Sequence, residues 1–145
     1  MKNLIEKTNV YLANLGVLYI KLHNLHWNVI GPQFKAVHEY FEGLYDLVSE
    51  ELDEVAEFIK MENDYPLATL TDYKNHTLLT EIESKDYKVD KALMILLEDL
   101  KLMRRCAQEL RNISADLDKF ELANMLEEHI KQYDKNIWFI ESMLS

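Results

Sequence analysis

Residues 26–57 read HWNVIGPQFKAVHEYFEGLYDLVSEELDEVAE. Two histidines, His26 and His38, lie near its start, and a carboxylate pair, Asp53 and Glu57, lies at its end. Gly31-Pro32 divides the stretch, because proline cannot continue a helix and disfavours the helical conformation of the residue before it. From Gln33 to about Lys60 only Gly43 interrupts a run in which Val37, Phe41, Leu44, Val48, Leu52, Val55 and Ile59 recur by threes and fours. That is the spacing of a long helix with one buried stripe.

On such a helix His38, Glu42, Asp53 and Glu57 share one arc, centred roughly 130° from the centre of the apolar stripe. These side chains therefore point away from the chain's own core. His38 and Asp53 are separated by about 22 Å along the axis, a span no single metal centre covers. If the two ends belong to one site, a second copy of the chain must lay the same helix antiparallel alongside, as a two-fold interface does. A solvated polar face carrying an incidental histidine is the plainer alternative.

Working outward, Tyr11, Leu15, Leu18, Leu22, Leu25 and Val29 step by threes and fours through a first helix from about Asn3 to Val29. Gly16 inside it costs up to about 1 kcal/mol relative to alanine and marks close packing or tolerance. Residues 63–84 carry Pro66, several threonines and no long period, so they form a long connection in which Leu70–Leu79 is a candidate short helix. Val89, Leu93, Leu96, Leu100, Met103, Ala107 and Leu110 give a third helix from about Asp86 to Ile113, with Ser84 or Asp86 as candidate caps. A polar turn over Asn112–Asp116 precedes a fourth helix carrying Leu122, Leu126, Ile130, Tyr133, Ile137, Ile140 and Leu144. The expected architecture is all-α: a four-helix bundle whose middle connection runs its length, in one domain spanning residues 1–145.

The 145 residues are 48% apolar with a formal net charge of −10. The summed field attracts cations and repels phosphate backbones. Only Arg104-Arg105 stand together as a basic pair, no basic arm is expected at either end, and DNA or an anionic membrane is a disfavoured partner. Cys106 is the single cysteine, which excludes an intrachain disulfide and a cysteine-rich metal cluster. With no signal core or membrane-spanning run, a cytoplasmic location is expected.

Imidazole with carboxylate suits divalent first-row metals, and iron, zinc, cobalt and manganese all remain open on ligand type. None of the five histidines has a glutamate three residues before it. The Glu-x-x-His pairs of an intrachain di-iron bundle are therefore missing.

The segment formed by His26, Trp27, Asn28, Val29, Gly31, Phe34, His38, Phe41, Tyr45, Asp53, Ala56 and Glu57 resembles the motif of the Dps family, the mini-ferritins. The resemblance implies a ferritin-like bundle assembled as a dodecameric hollow shell. Each two-fold interface would hold a ferroxidase centre built from His26 and His38 of one subunit with Asp53 and Glu57 of the other. Fe(II) would be oxidised there by hydrogen peroxide, less readily by dioxygen, and stored as ferric mineral, with zinc or manganese as competing metals. The chain departs from the pattern at Glu42, where many relatives carry aspartate, and Glu42 is retained as a ligand to a second or weaker metal. It departs again at Phe58, where an arginine commonly follows the glutamate ligand.

Around that centre, Trp27 is a candidate shield or electron donor and His23 a candidate hydrogen-bonding neighbour. Each also reads as an ordinary packing residue. Asp116 and Glu121 resemble the acidic lining of three-fold iron-entry pores, and equally suit the dipole at the start of the fourth helix. Glu50 and Glu54 are among the glutamates that would face stored mineral. Two other functions remain open: a DNA-compacting nucleoid protein with secondary iron binding, and a helical bundle without chemistry.

Overall fold

The periodicities of the sequence translate into helices whose apolar stripes meet in one core. The computed structural model describes residues 1–145, with α1 over Lys2–Asn28, α2 over Phe34–Met61, α3 over Leu70–His76, α4 over Val89–Asp116 and α5 over Phe120–Leu144. Helix α1 packs on α2, α4 packs on α5, and α1 meets α4 to join the two pairs. Leu12, Leu15, Leu18, Phe41, Phe58, Leu93, Leu96 and Leu126 are among the side chains wholly removed from solvent. Phe58 thus belongs to the core, so the position after Glu57 is apolar because it faces inward. No helix is long and apolar enough to cross a membrane.

The breaks between helices rest on left-handed residues that are not all glycine. Gly31 has φ 113°, a conformation that L side chains rarely adopt, and turns the chain from α1 into α2. Helix α2 ends with Asn63 at φ 61°, where Asn63 N–H donates to Lys60 O and Asp64 N–H to Ile59 O. Helix α4 ends in the same way: Asp118 has φ 56°, its N–H donates to Ala115 O, and Lys119 N–H donates to Ser114 O. Both are Schellman caps with a short polar residue in place of glycine.

Several boundaries differ from the expectation: the first helix stops at Asn28, with Val29 extended, and the short helix stops at His76 and not Leu79. Asn112–Asp116 is the last turn of α4, not a polar turn, because Ser114 is buried and donates its hydroxyl to Leu110 O at 2.7 Å inside the helix. Neither Ser84 nor Asp86 caps α4. The helix begins only after the extended pair Tyr87–Lys88, so the residue before it is Lys88, whose side chain has no oxygen to accept a capping bond. Tyr87–Lys88 form a short parallel bridge, β2, with Val29–Ile30, β1.

The connection from α2 to α4 runs along α1. Leu67 N–H donates to Asn9 Oδ1 at 2.9 Å, and Leu78 N–H donates to the buried Asn14 Oδ1 at 2.7 Å. Lys21 Nζ donates to Thr80 O at 2.7 Å and pairs with Asp99 at 2.8 Å. Asn24 Nδ2 donates to Glu83 O at 3.1 Å, and Tyr87 lies opposite Val29. Helix α3 rests on α1 where Gly16 has no side chain, and an ideal Cβ there would come within 2.5 Å of the Tyr73 ring.

Candidate metal centre

The turn at residues 29–33 brings the end of α1 beside the start of α2, and with it His26 beside His38. The two rings stack with centroids 3.7 Å apart and planes 11° from parallel. His26 Nδ1 contacts the backbone carbonyl of His38 at 2.7 Å, and His38 Nδ1 contacts the backbone carbonyl of His26 at 2.7 Å. A carbonyl only accepts, so both Nδ1 atoms are the donors. In each neutral ring the proton is thereby held on Nδ1 and the Nε2 lone pair is left as the metal-binding atom.

His26 is buried while His38 is half-buried beneath Phe34, whose ring stacks on it at 5.0 Å. Glu42, one turn beyond His38, is exposed, and its Oε1 lies 3.9 Å from His26 Nε2. That separation suits two ligands of one first-row ion, each at about 2.1 Å. The longer glutamate therefore reaches the histidine end.

Asp53 and Glu57 are exposed at the far end of α2 and make no hydrogen bond or ion pair with the chain. The structure does not bring them to the histidines within one chain. Instead it divides the expected ligands into a rigid half, held by backbone carbonyls, and a free carboxylate half about 22 Å away along the same helix.

His23 is held by a contact from Nδ1 to Tyr19 O at 2.8 Å and stacks on Tyr45 at 3.8 Å. Tyr45 meets the His26 ring edge-on at 5.2 Å. Trp27 lies against His23 at 5.3 Å yet is 68% exposed. Both expected neighbours therefore stand beside the histidine pair. Asp116 and Glu121 are exposed at the α4–α5 corner, but Asp116 closes α4 and does not begin the fourth helix. Only Glu121 occupies the first turn of α5, so only it complements that helix dipole.

A second cluster was not anticipated from sequence. His129 is 2% exposed, with Nδ1 2.9 Å from Tyr11 Oη and Nε2 in hydrogen-bond contact with Glu54. Tyr11 Oη is also 2.7 Å from Tyr133 Oη. Glu51 is buried nearby, and burial, reinforced by Glu54 and Glu50, pushes its carboxyl up to about 8. Burial also lowers the His129 imidazole, against the opposing pull of Glu54. The available signal was that His129 continues the buried step Leu122, Leu126, Tyr133 of α5, while Glu51 interrupts an otherwise apolar flank of α2.

Comparison with known proteins agrees with this architecture. A ferritin-like domain model matches residues 5–145. A DNA protection during starvation protein of Brevibacillus brevis is 31% identical over 136 residues, covering 94% of this chain and 91% of the relative. The crystal structure of antigen TpF1 from Treponema pallidum superposes with a TM-score of 0.97 at 27% identity, covering 99% of this chain and 92% of that one. The crystal structure of Dps from Staphylococcus aureus gives a TM-score of 0.95 at 30% identity, covering 100% and 97%.

Proposed function

Because the chain belongs to the Dps family of ferritin-like proteins, we propose that it is an iron-oxidising and iron-storing mini-ferritin. In this reading the whole chain acts as one domain in a cytoplasmic shell of twelve copies. Each two-fold interface sets His26 and His38 of one copy, with Glu42, opposite Asp53 and Glu57 of the next. Fe(II) is the substrate, hydrogen peroxide the preferred oxidant and dioxygen a slower one. Zinc and manganese compete for the same ligands.

The reciprocal clasp of the two histidines carries this reading. Its effect is to present two oriented Nε2 lone pairs before any metal arrives, so little ring motion is lost on binding. Asp53 and Glu57, unpaired within their own chain, supply the negative charge that a pair of divalent ions needs. Two Fe(II) ions each give one electron to one peroxide, the O–O bond breaks, and two Fe(III) ions and two hydroxides result. Taking both electrons together avoids the one-electron step that releases hydroxyl radical. The net charge of −10 favours cation entry.

The test is anaerobic loading of assembled protein with Fe(II), then a peroxide pulse followed by ferric absorbance. Wild type oxidises rapidly and keeps its mineral soluble, whereas a His38→Ala, Asp53→Ala double variant does neither. Equal rates in both would remove these residues from the chemistry.

A further inference from the structure

Glu51 has a side chain only 4% exposed and accepts no hydrogen bond, although His129 Nε2 lies 3.8 Å from its Oε2. It lines a cavity of about 200 Å³ between α2 and α5 together with Glu50, Glu54, Glu128, His129 and Gln132. Once it gives up its proton, this carboxylate has no hydrogen-bond donor beside it, an environment that a divalent ion in the cavity would neutralise in the proton's place. The cavity offers an imidazole, two carboxylates within reach of it and an opening to solvent through Glu54, whose side chain is 46% exposed. Around α2 this flank lies about 140° from the centre of the His38–Glu57 arc, so the cavity is separate from the interfacial ligands.

We infer that His129, Glu51 and Glu54 form a mononuclear site for an imidazole-preferring divalent cation, contained within one chain and independent of the two-fold partner. Without metal, the proton on His129 Nε2 closes the contact with Glu54, and no three ligand side chains yet surround a common point. The cation takes the place of that proton. The ring's single proton then resides on Nδ1, facing Tyr11 Oη, a hydroxyl able to accept as well as donate. The Tyr11–Tyr133 pair behind it holds the ring in plane. Glu51 and Glu54 supply two negative charges to a divalent ion, and Gln132 and water complete the coordination. A nitrogen ligand selects zinc, cobalt or Fe(II) over magnesium and calcium.

The test uses assembled, chelator-stripped protein carrying His26→Ala, His38→Ala, Asp53→Ala and Glu57→Ala, so that both imidazoles and the facing carboxylates of the interfacial centre are gone. Zinc binding is measured by equilibrium dialysis, and cobalt(II) by its visible ligand-field absorption. The expected result is about one zinc per chain, cobalt absorption of low-symmetry N/O ligation, and displacement of either by magnesium only at about a hundredfold excess or more. Adding Glu51→Gln, which keeps shape and removes only charge, weakens zinc at least about tenfold, and His129→Gln abolishes the cobalt absorption. Circular dichroism and assembly size confirm that each variant is folded. Should His129→Gln fail to assemble, the Glu51→Gln comparison decides. The inference is overturned if the interface-disabled protein binds no zinc, if Glu51→Gln binds it unchanged, or if magnesium competes equally. This test stands whether or not the interfacial ferroxidase does.

Discussion

A pair of complementary variants tests the division of the ferroxidase ligands between two copies of the chain. His38→Ala removes a ligand from the rigid end of α2 and Asp53→Ala removes one from the carboxylate end, about 22 Å away. In the proposed arrangement either variant alone damages every interfacial centre, because each centre draws one end from each copy. In a mixed assembly made by co-refolding equal amounts, random pairing makes about half of the two-fold pairs heterodimeric. In such a pair, one centre joins the intact His38 of one copy to the intact Asp53 of the other, while the second centre lacks both. One centre in two survives in half the pairs, so about one quarter of wild-type initial rate returns. The assay is the peroxide-driven rise in ferric absorbance, with each single variant and an unassembled mixture as baselines. Return to about a quarter supports centres shared between chains. Recovery no greater than the mean of the two single variants would refute the sharing, since a site within one chain cannot be repaired by mixing.

Three further outcomes follow from the fold. In metal-free protein, Glu51 ionises at about 8 when folded against 4.5 unfolded, so between those values the folded state retains a proton that the unfolded state has lost. Stability falls as pH rises through that window, by an upper bound on the order of 5 kcal/mol. Glu51→Gln should therefore flatten the decline of denaturant midpoint between pH 5 and 8.5, and an unchanged slope would exclude Glu51 as its source. Gly16→Ala should lose about 1–2 kcal/mol despite alanine's better helix propensity, because the new Cβ displaces the Tyr73 ring; a raised melting midpoint would contradict this. Duplex DNA at physiological salt should not be retarded by the assembled protein, given its net charge of −10. A salt-resistant gel shift would reopen the nucleoid reading.

Much of this molecule was legible because its four long helices are amphipathic over about seven turns each. Val37, Phe41, Leu44, Val48, Val55 and Ile59 become buried, as their spacing requires, while Leu52 of the same stripe is only half-buried at its edge. The break at Gly31-Pro32 was legible as well, but the pairing of His26 with His38 across it came only from the family resemblance, because nothing local reports that the turn stacks the two rings. What escaped was non-local or conformationally unusual. Asn63 and Asp118 end helices in the left-handed region without the glycine that normally announces such an end. The clasp between His26 and His38 uses backbone carbonyls, which carry no residue-specific signal. The His129 cluster joins α1, α2 and α5 across 75 to 122 residues of sequence. No local periodicity reports such a meeting.

The connection beside α1 has a consequence for the lengths the chain can tolerate. Its anchors pair Asn9 with Leu67, Lys21 with Thr80, Asn24 with Ile82 and Val29 with Tyr87, at separations of 58 or 59 residues throughout. Only near Asn14 does the separation lengthen, to 64 at Leu78, where the turn of α3 takes up the excess. A segment that looks from its composition like a permissive surface loop is thus metered against a helix. Insertion of a single residue between Leu67 and Tyr87 must either bulge outward or shift every later anchor by one place. Such insertions, cheap in an ordinary loop, would here dislodge the strand bridge that leads directly into α4.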